Sequence, residues 1–157
     1  MNNSQSFQLD SRLAADCIEL GLLIGSSKDT NSVLLLMNNA DIPWFVIVPT
    51  GISVIDIDEL PELQQIQMLK NMNRLSAFLK QQYQVDKINF ASIGNIVQQM
   101  HFHLVARTKQ DPAWPGVVWG IKAENKVTQE QVEGLKCQLV ENVQNFKMSH
   151  SYNLLEK

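Results

Sequence analysis

The sequence has little of what marks several common protein classes. It contains only two cysteines, Cys17 and Cys137, and no Cys-x-x-Cys motif, which is typical of free thiols in a reducing compartment. No segment approaches the roughly 18 apolar residues of a membrane span, and the N-terminus lacks the basic start and apolar run of a secretory signal. We therefore expect a cytoplasmic protein with no membrane partner.

Positive charge is also scarce. The formal net charge is -3 and the pI is about 5.5, which argues against a broad electrostatic surface for nucleic acid. A chain of 157 residues with 45% hydrophobic content can bury one ordinary core but hardly two. We expect a single domain over residues 1–157 with a polar tail after about residue 149, and no nucleic-acid partner.

Apolar runs predict five strands. Residues 32–37 and 44–48 flank a segment of turn-forming residues and are typical of a hairpin. Residues 54–57 predict a short strand, and residues 87–93 and 99–107 predict two more. Because the order of elements shows no regular βαβ alternation, we expect an α+β fold around a mainly antiparallel sheet.

Helical spacing predicts three helices. A short first helix follows Asp10, a possible cap, and ends near Gly21, while a long helix begins close to Pro61. Thr128 and Gln131 form a capping box at the start of a C-terminal helix. The apolar face predicted for the long helix comprises Leu60, Leu63, Ile66, Leu69, Met72, Leu75 and Leu79, and that for the last helix comprises Val132, Leu135, Leu139, Val143 and Phe146.

The fifth predicted strand carries the residues with chemical potential. Side chains alternate across a strand, so Gln99, His101, His103, Val105 and Arg107 share one face, and the apolar residues between them share the other. Imidazole has an ordinary pKa of about 6.5, so its neutral, nucleophilic form is abundant at neutral pH. A second imidazole and an amide can hold phosphate oxygens, and this pattern favours phosphoryl or nucleotidyl transfer.

Two other interpretations of the His-x-His pair remain open. It is either an exposed polar face or a metal pair, because neutral imidazoles two residues apart on a strand can reach one ion. A metal site needs further ligands, and the remaining histidine is His150 in the tail. We therefore rank a metal site below phosphate chemistry and predict no bound metal.

The stretch Gln99-Met100-His101-Phe102-His103-Leu104-Val105 resembles the signature of the histidine triad (HIT) family, His-φ-His-φ-His-φ-φ with φ apolar, with glutamine replacing the first histidine. The resemblance extends over most of the chain, through residues 7–10, 13–16, 35–40 and 111–115 and the pairs Pro43-Trp44 and Trp119-Gly120. Together these segments resemble a bacterial branch of the family in which glutamine at that position is usual.

The resemblance implies a function for the three signature residues. His101 would be the nucleophile that attacks the α-phosphate of a nucleotide, giving a nucleotidyl-histidine that water hydrolyses, and His103 would contact phosphate. Gln99 cannot be an acid or base, but its amide can donate a hydrogen bond to a bridging or leaving-group oxygen. The implied substrates are dinucleoside polyphosphates or adenosine phosphoramidates. The alternative is a nucleotide-binding regulatory module with weak or no catalysis.

The resemblance also implies further nucleotide contacts. Asn38 lies where the family often has a residue that touches the ribose, and Asn89 and Asn95 lie where it places amides near the phosphates; each is otherwise a loop or turn amide. Trp44 stands where many members carry a histidine, and either lines the base pocket or fills core. Arg107 either attracts phosphate or is a surface residue.

The resemblance implies a HIT-like five-stranded sheet with one long and one C-terminal helix. It also implies a homodimer whose two sheets join near the long helix. No cofactor is expected, although a divalent cation can accompany the nucleotide.

Overall fold

The computed structural model describes residues 7–149, so the predicted tail after about residue 149, with His150, lies outside the described residues. Within that range the chain forms one six-stranded sheet in the order β4-β5-β3-β2-β1-β6, and every paired neighbour is antiparallel. The strands are β1 (Cys17–Leu23), β2 (Ser32–Met37), β3 (Trp44–Pro49), β4 (Lys87–Ala91), β5 (Phe102–Arg107) and β6 (Phe146–Met148). The α-helices are α1 (Ser11–Asp16), α2 (Glu62–Gln82) and α3 (Gln129–Asn142). The prediction of an α+β fold with an antiparallel sheet is confirmed, but the predicted count of five strands is wrong.

The first helix is much shorter than its apolar spacing predicts. It ends at Asp16, and the next seven residues form β1, which pairs with β2 and β6. Gly21 therefore ends no helix. A Cβ on Gly21 would lie 2.1 Å from the carbonyl oxygen of Lys147 in β6, so the absence of a side chain permits this strand pairing.

Two other local predictions differ from the structure. Residues 54–57 form no strand; instead Asp56 caps a 3-10 helix over Ile57–Glu59, and the carbonyl of Val54 accepts a hydrogen bond from the amide of Met100. The sixth strand follows α3 through Asn145, which has a left-handed φ of 72°. Phe146 thus belongs to β6, although it is buried as its spacing predicts.

The long helix begins at Glu62, directly after Pro61, as predicted, but its buried face differs. Leu63, Ile66 and Leu69 are exposed, whereas Gln64, Gln67, Met68 and Asn71 are buried. The second half of the helix packs as predicted, through Met72, Leu75, Phe78 and Leu79. Tertiary packing therefore overrides apolar spacing in the first half, and three leucine or isoleucine side chains remain on the surface.

The sheet is buried on both faces. One face packs on α2 and α3 in a cluster that includes Phe45, Phe102 and Leu104. The opposite face packs under α1 and the segment after β5, in a second cluster that includes Trp44 and Val105. The predicted polar row on β5 thus lies on a covered face rather than an open one, and this covered face is where the histidines lie.

Candidate active site

The two histidines lie at the start of β5, side by side and buried. His101 directly precedes the strand and His103 is its second residue; both side chains are 5% exposed. Their ring centroids are 4.8 Å apart with an interplanar angle of 79°. The prediction that Met100, Phe102, Leu104 and Ala106 pack into the core on the opposite face is confirmed.

A backbone carbonyl fixes the orientation of His101. Its Nδ1 lies 2.7 Å from the carbonyl oxygen of Gln99. Because a carbonyl only accepts, Nδ1 must be the protonated nitrogen and donate this bond. In the neutral ring, Nε2 then carries the free lone pair, as a nucleophile requires.

An indole fixes the orientation of His103 in the opposite sense. The Nε1–H of Trp44 donates to Nδ1 of His103 at 2.9 Å. Since an indole nitrogen can only donate, Nδ1 of His103 must accept, so its proton is on Nε2. Burial first, and then the neighbouring imidazole of His101, lowers the pKa of His103 from 6.5 to about 4. His103 is therefore a neutral ring that offers an Nε2–H donor at physiological pH.

The tryptophans complete an aromatic wall around His103. Trp44 pairs with β5 from the neighbouring strand β3, opposite Val105. The Trp119 ring contacts His103 edge-on at 5.2 Å and Trp44 at 5.4 Å. Trp44 belongs to the buried cluster, as its interpretation as a core residue requires, and it also lines a pocket of about 240 Å³. Its contact with a base stays a prediction.

Asn38 lines the same pocket as Trp44, as its predicted contact with a ribose requires. Its side-chain oxygen accepts a hydrogen bond from the backbone amide of Val127 at 3.1 Å. The Asn38 side chain thus also holds the segment before α3 against the end of β2. Its contact with a nucleotide stays a prediction.

Gln99 lies in the loop before β5, which begins only at Phe102, so the predicted strand over residues 99–107 is three residues too long at its start. Its side-chain oxygen accepts from the backbone amide of Asp10 at 2.8 Å, and its amide nitrogen donates to the carbonyl of Gln8 at 2.9 Å. The side chain is therefore engaged with the N-terminal segment. Its predicted hydrogen bond to a leaving-group oxygen stays a prediction.

Arg107 is 2% exposed, so the interpretation as a surface residue is wrong. It forms a bidentate ion pair with Asp111, with nitrogen to oxygen distances of 2.8 and 3.0 Å, and donates to the Asn89 side chain and the Gly116 carbonyl at 2.9 Å each. Burial would raise the pKa of Asp111, but hydrogen bonds from Arg107 and two backbone amides outweigh it and lower that pKa. The phosphate contacts expected of Arg107 and Asn89 stay predictions, which this geometry does not favour.

Asn95 is exposed and lines a different pocket, of about 500 Å³, with Asp56 and Gln98. The structure therefore divides the candidate residues into groups. His103 contacts both His101 and Trp44, and Asn38 lines the same pocket as Trp44. Asn89 and Arg107 bind each other, and Asn95 lines a separate pocket.

The sequence analysis missed two participants. Asp111 is the ion-pair partner of Arg107, and the backbone amide of Asp10 binds Gln99 in addition to the role of Asp10 as a helix cap. Asp10 does cap α1, since its side chain accepts from the amide of Arg12. No local pattern links residues 10 and 99, because the contact joins positions 89 residues apart.

The described residues 7–149 contain no group of three or more histidine, cysteine, aspartate or glutamate side chains able to hold a metal ion. In the same range, no helix is both long and apolar enough to cross a membrane.

Comparison with known proteins agrees with this geometry. A family model described as the HIT domain matches residues 26–110. A histidine triad protein from Marinobacter aquaeolei VT8 is 38% identical, with 88% of this chain and 96% of that chain covered and a TM-score of 0.77. One from Bradyrhizobium japonicum is 32% identical, with 88% and 99% covered and a TM-score of 0.77. One from Sinorhizobium meliloti 1021 is 34% identical, with 87% and 96% covered and a TM-score of 0.75. No curated protein matches the sequence.

The chain belongs to the histidine triad (HIT) family. Proteins of this family are generally nucleotide-binding hydrolases or transferases, and the similar solved structures named above are bacterial members.

Proposed function

We propose that this protein hydrolyses a phosphoanhydride or phosphoramidate bond of a nucleotide through a nucleotidyl-histidine intermediate on His101. The observation that carries the proposal is the hydrogen bond from Nδ1 of His101 to the carbonyl of Gln99, because it leaves the Nε2 lone pair for attack. The substrates would be dinucleoside polyphosphates or adenosine phosphoramidates, with no resident cofactor.

In the first step, Nε2 of His101 bonds to the α-phosphorus while the bond to the leaving oxygen or nitrogen breaks, and the leaving group takes a proton from water. The ring becomes cationic, and the Gln99 carbonyl that accepts its Nδ1–H stabilises this charge. In the second step, water attacks phosphorus and gives its proton to the hydroxide left by the first step. The bond to Nε2 breaks, the ring becomes neutral again and a nucleoside monophosphate leaves.

His103 would stabilise charge on the phosphate oxygens in both steps. Its Nε2–H is the proton that remains to donate, since Nδ1 accepts from Trp44. A neutral donor held by burial needs no reorganisation when charge develops. Asn38 and Trp44 would contact the nucleoside from the pocket that they line.

The test is to trap the intermediate. Wild-type protein incubated with a labelled adenylyl substrate should yield adenylated His101 in mass spectrometry, and His101→Ala should fold normally but lose turnover. His101→Gly with added imidazole should regain part of the activity, because free imidazole can occupy the vacated space. Normal turnover by a correctly folded His101→Ala protein would contradict the mechanism.

One observation favours a second candidate, a nucleotide-binding module with weak or no catalysis. The side-chain oxygen and one N–H of Gln99 bind backbone groups of the N-terminal segment, which leaves a single N–H of this side chain to assist a leaving group. Calorimetry that detects nucleotide binding, together with no hydrolysis of any tested substrate, would support this candidate over the enzyme.

A homodimer is part of the proposal. β4 is an edge strand of the sheet, Phe90 on it is 58% exposed, and Leu63, Ile66 and Leu69 are exposed on α2. Joining two copies at β4 would cover such side chains and pair the strand edges. Light scattering that gives the mass of one chain at micromolar concentration would contradict it.

The cytoplasmic location, a divalent cation with the nucleotide and the glutamine-bearing branch stay predictions.

A further inference from the structure

The residue that replaces the first triad histidine makes its hydrogen bonds to the protein's own backbone. Both polar groups of the Gln99 side chain are used: the oxygen accepts from the amide of Asp10, and the nitrogen donates to the carbonyl of Gln8. Two bonds to groups two residues apart resemble the pairing of a neighbouring strand. They hold residues 8–12, here called the N-terminal arm, next to the loop that precedes His101.

A second, independent contact holds the same arm. Arg12 binds the Asp10 carboxylate through Nε and a terminal nitrogen, and its other terminal nitrogen donates to the carbonyl of Ile96 at 2.7 Å. Arg12 thus links the arm to the loop three residues before Gln99. The arm is fixed to this loop at both of its ends.

The arm makes apolar contacts as well as the hydrogen bonds to the loop. Leu9 packs on the buried cluster that contains Trp44, and Leu13 of α1 belongs to that cluster. Gln99 contacts the arm with its side chain and His101 with its carbonyl, so one residue joins the two.

We propose that Gln99 is a positioning residue that docks the N-terminal arm as a wall of the active site beside His101. On this view, a histidine at this position would contact the substrate, whereas Gln99 binds the N-terminal arm and holds it at the edge of the site. The proposal rests on the proposed function for the identity of the site. The docking itself does not depend on turnover.

Hydrogen exchange tests the docking without substrate. In Gln99→Ala the amide of Asp10 should exchange at least about tenfold faster than in wild type, because its acceptor is gone. Gln98→Ala is the matched control: Gln98 is its exposed neighbour, and the exchange of Asp10 should stay unchanged. Equal protection of Asp10 in Gln99→Ala and wild type would overturn the proposal.

A backbone substitution removes the same bond from the other side. Asp10 has φ -56°, which proline adopts, so Asp10→Pro deletes the amide donor, and Asp10→Ala deletes the carboxylate alone. Asp10→Pro should lower kcat/KM for adenosine phosphoramidate about threefold to tenfold below Asp10→Ala. Combining Gln99→Ala with Asp10→Pro should cost clearly less than the sum of the two separate losses, because both changes remove the bond between the Gln99 oxygen and the Asp10 amide. Fully additive losses would overturn the proposal.

Adenosine monophosphate distinguishes a wall of the site from a structural strap. If the arm lines the site, saturating adenosine monophosphate should slow exchange of residues 8–12 in the wild-type protein, and this effect should shrink in Gln99→Ala. Bound nucleotide with no change in the arm would refute the wall. No binding of this nucleotide would count against the proposed function instead, and the exchange of free Gln99→Ala would still decide whether the arm is docked.

Discussion

Replacing Trp44 by phenylalanine should disturb the chemistry of His103 more than its packing. The substitution keeps an aromatic ring but removes the Nε1–H that donates to Nδ1 of His103 at 2.9 Å. Protonation of Nδ1 in the wild-type protein requires breaking that bond. Phenylalanine removes the requirement, so the charged form of His103 becomes easier to reach.

The magnitude follows from the worth of one buried hydrogen bond. A neutral bond contributes about 1 kcal/mol, and one pKa unit corresponds to about 1.4 kcal/mol. The pKa of His103, about 4 in the wild-type protein, should therefore rise by about one unit at most in Trp44→Phe. The same substitution frees the His103 ring to turn, so its Nε2–H donor is no longer held in place. If this raises the free energy of the transition state by about 1 kcal/mol as well, kcat/KM should fall about fivefold.

The same shift predicts how stability depends on pH. In the unfolded chain His103 takes up its proton as pH falls through about 6.5, whereas the folded protein does not until about pH 4. Lowering the pH from about 6.5 to about 4 therefore favours unfolding. His103 alone lowers the free energy of unfolding by about 3 kcal/mol over this range. In Trp44→Phe the loss should fall to about 2 kcal/mol.

The assay is a titration of 15N-labelled histidine followed by NMR, with urea unfolding at several pH values. Trp119→Phe is the matched control, because Trp119 contacts the same ring edge-on at 5.2 Å. It makes a comparable change of volume and should leave the His103 pKa near its wild-type value. An unchanged pKa in Trp44→Phe, or an equal shift in Trp119→Phe, would refute the reasoning.

Two further predictions concern stability. Arg107→Met should lower the free energy of unfolding by about 3 to 5 kcal/mol, because the Asp111 carboxylate, which is 4% exposed, then lacks its charged partner. Urea unfolding measures this loss, and a value below about 1 kcal/mol would contradict the prediction. Thr128→Ala should lower the free energy of unfolding by about 1 kcal/mol, because the Thr128 side chain caps α3 by accepting from the amide of Gln131. Gln129→Ala, inside the helix, is the control. Equal effects of the two changes would show that the cap is not the cause.

Local sequence signals predicted much of the fold. The hairpin of β2 and β3, the start of α2 after Pro61 and the capping box of α3 are confirmed, since each depends on residues close together in the chain. The first part of β1 was predicted as helix because Cys17 and Leu20 continue the helical spacing of Leu9 and Leu13. Only the pairing of β1 with β2 and β6 shows that these residues are extended. β6 was missed for a similar reason, since three residues carry no readable alternation.

The sequence predicts the two neighbouring histidines of the site but not the contacts of the residues around them. Alternation along the strand is enough to place His101 beside His103, and the structure brings them together. The partner of Arg107 lies only four residues away, but a helix-like spacing in a loop gives no signal of a buried ion pair. The engagement of Gln99 with the N-terminal segment depends on how the whole fold closes, which no short pattern encodes.

The carbonyl that orients the His101 ring belongs to the backbone of position 99, and the consequence is genetic as much as chemical. A codon change there alters the side chain but leaves the acceptor for His101 in place. A substitution at the first position of the triad signature therefore keeps the group that orients the second. A series of substitutions at position 99 would show which side chains leave the His101 ring in this orientation.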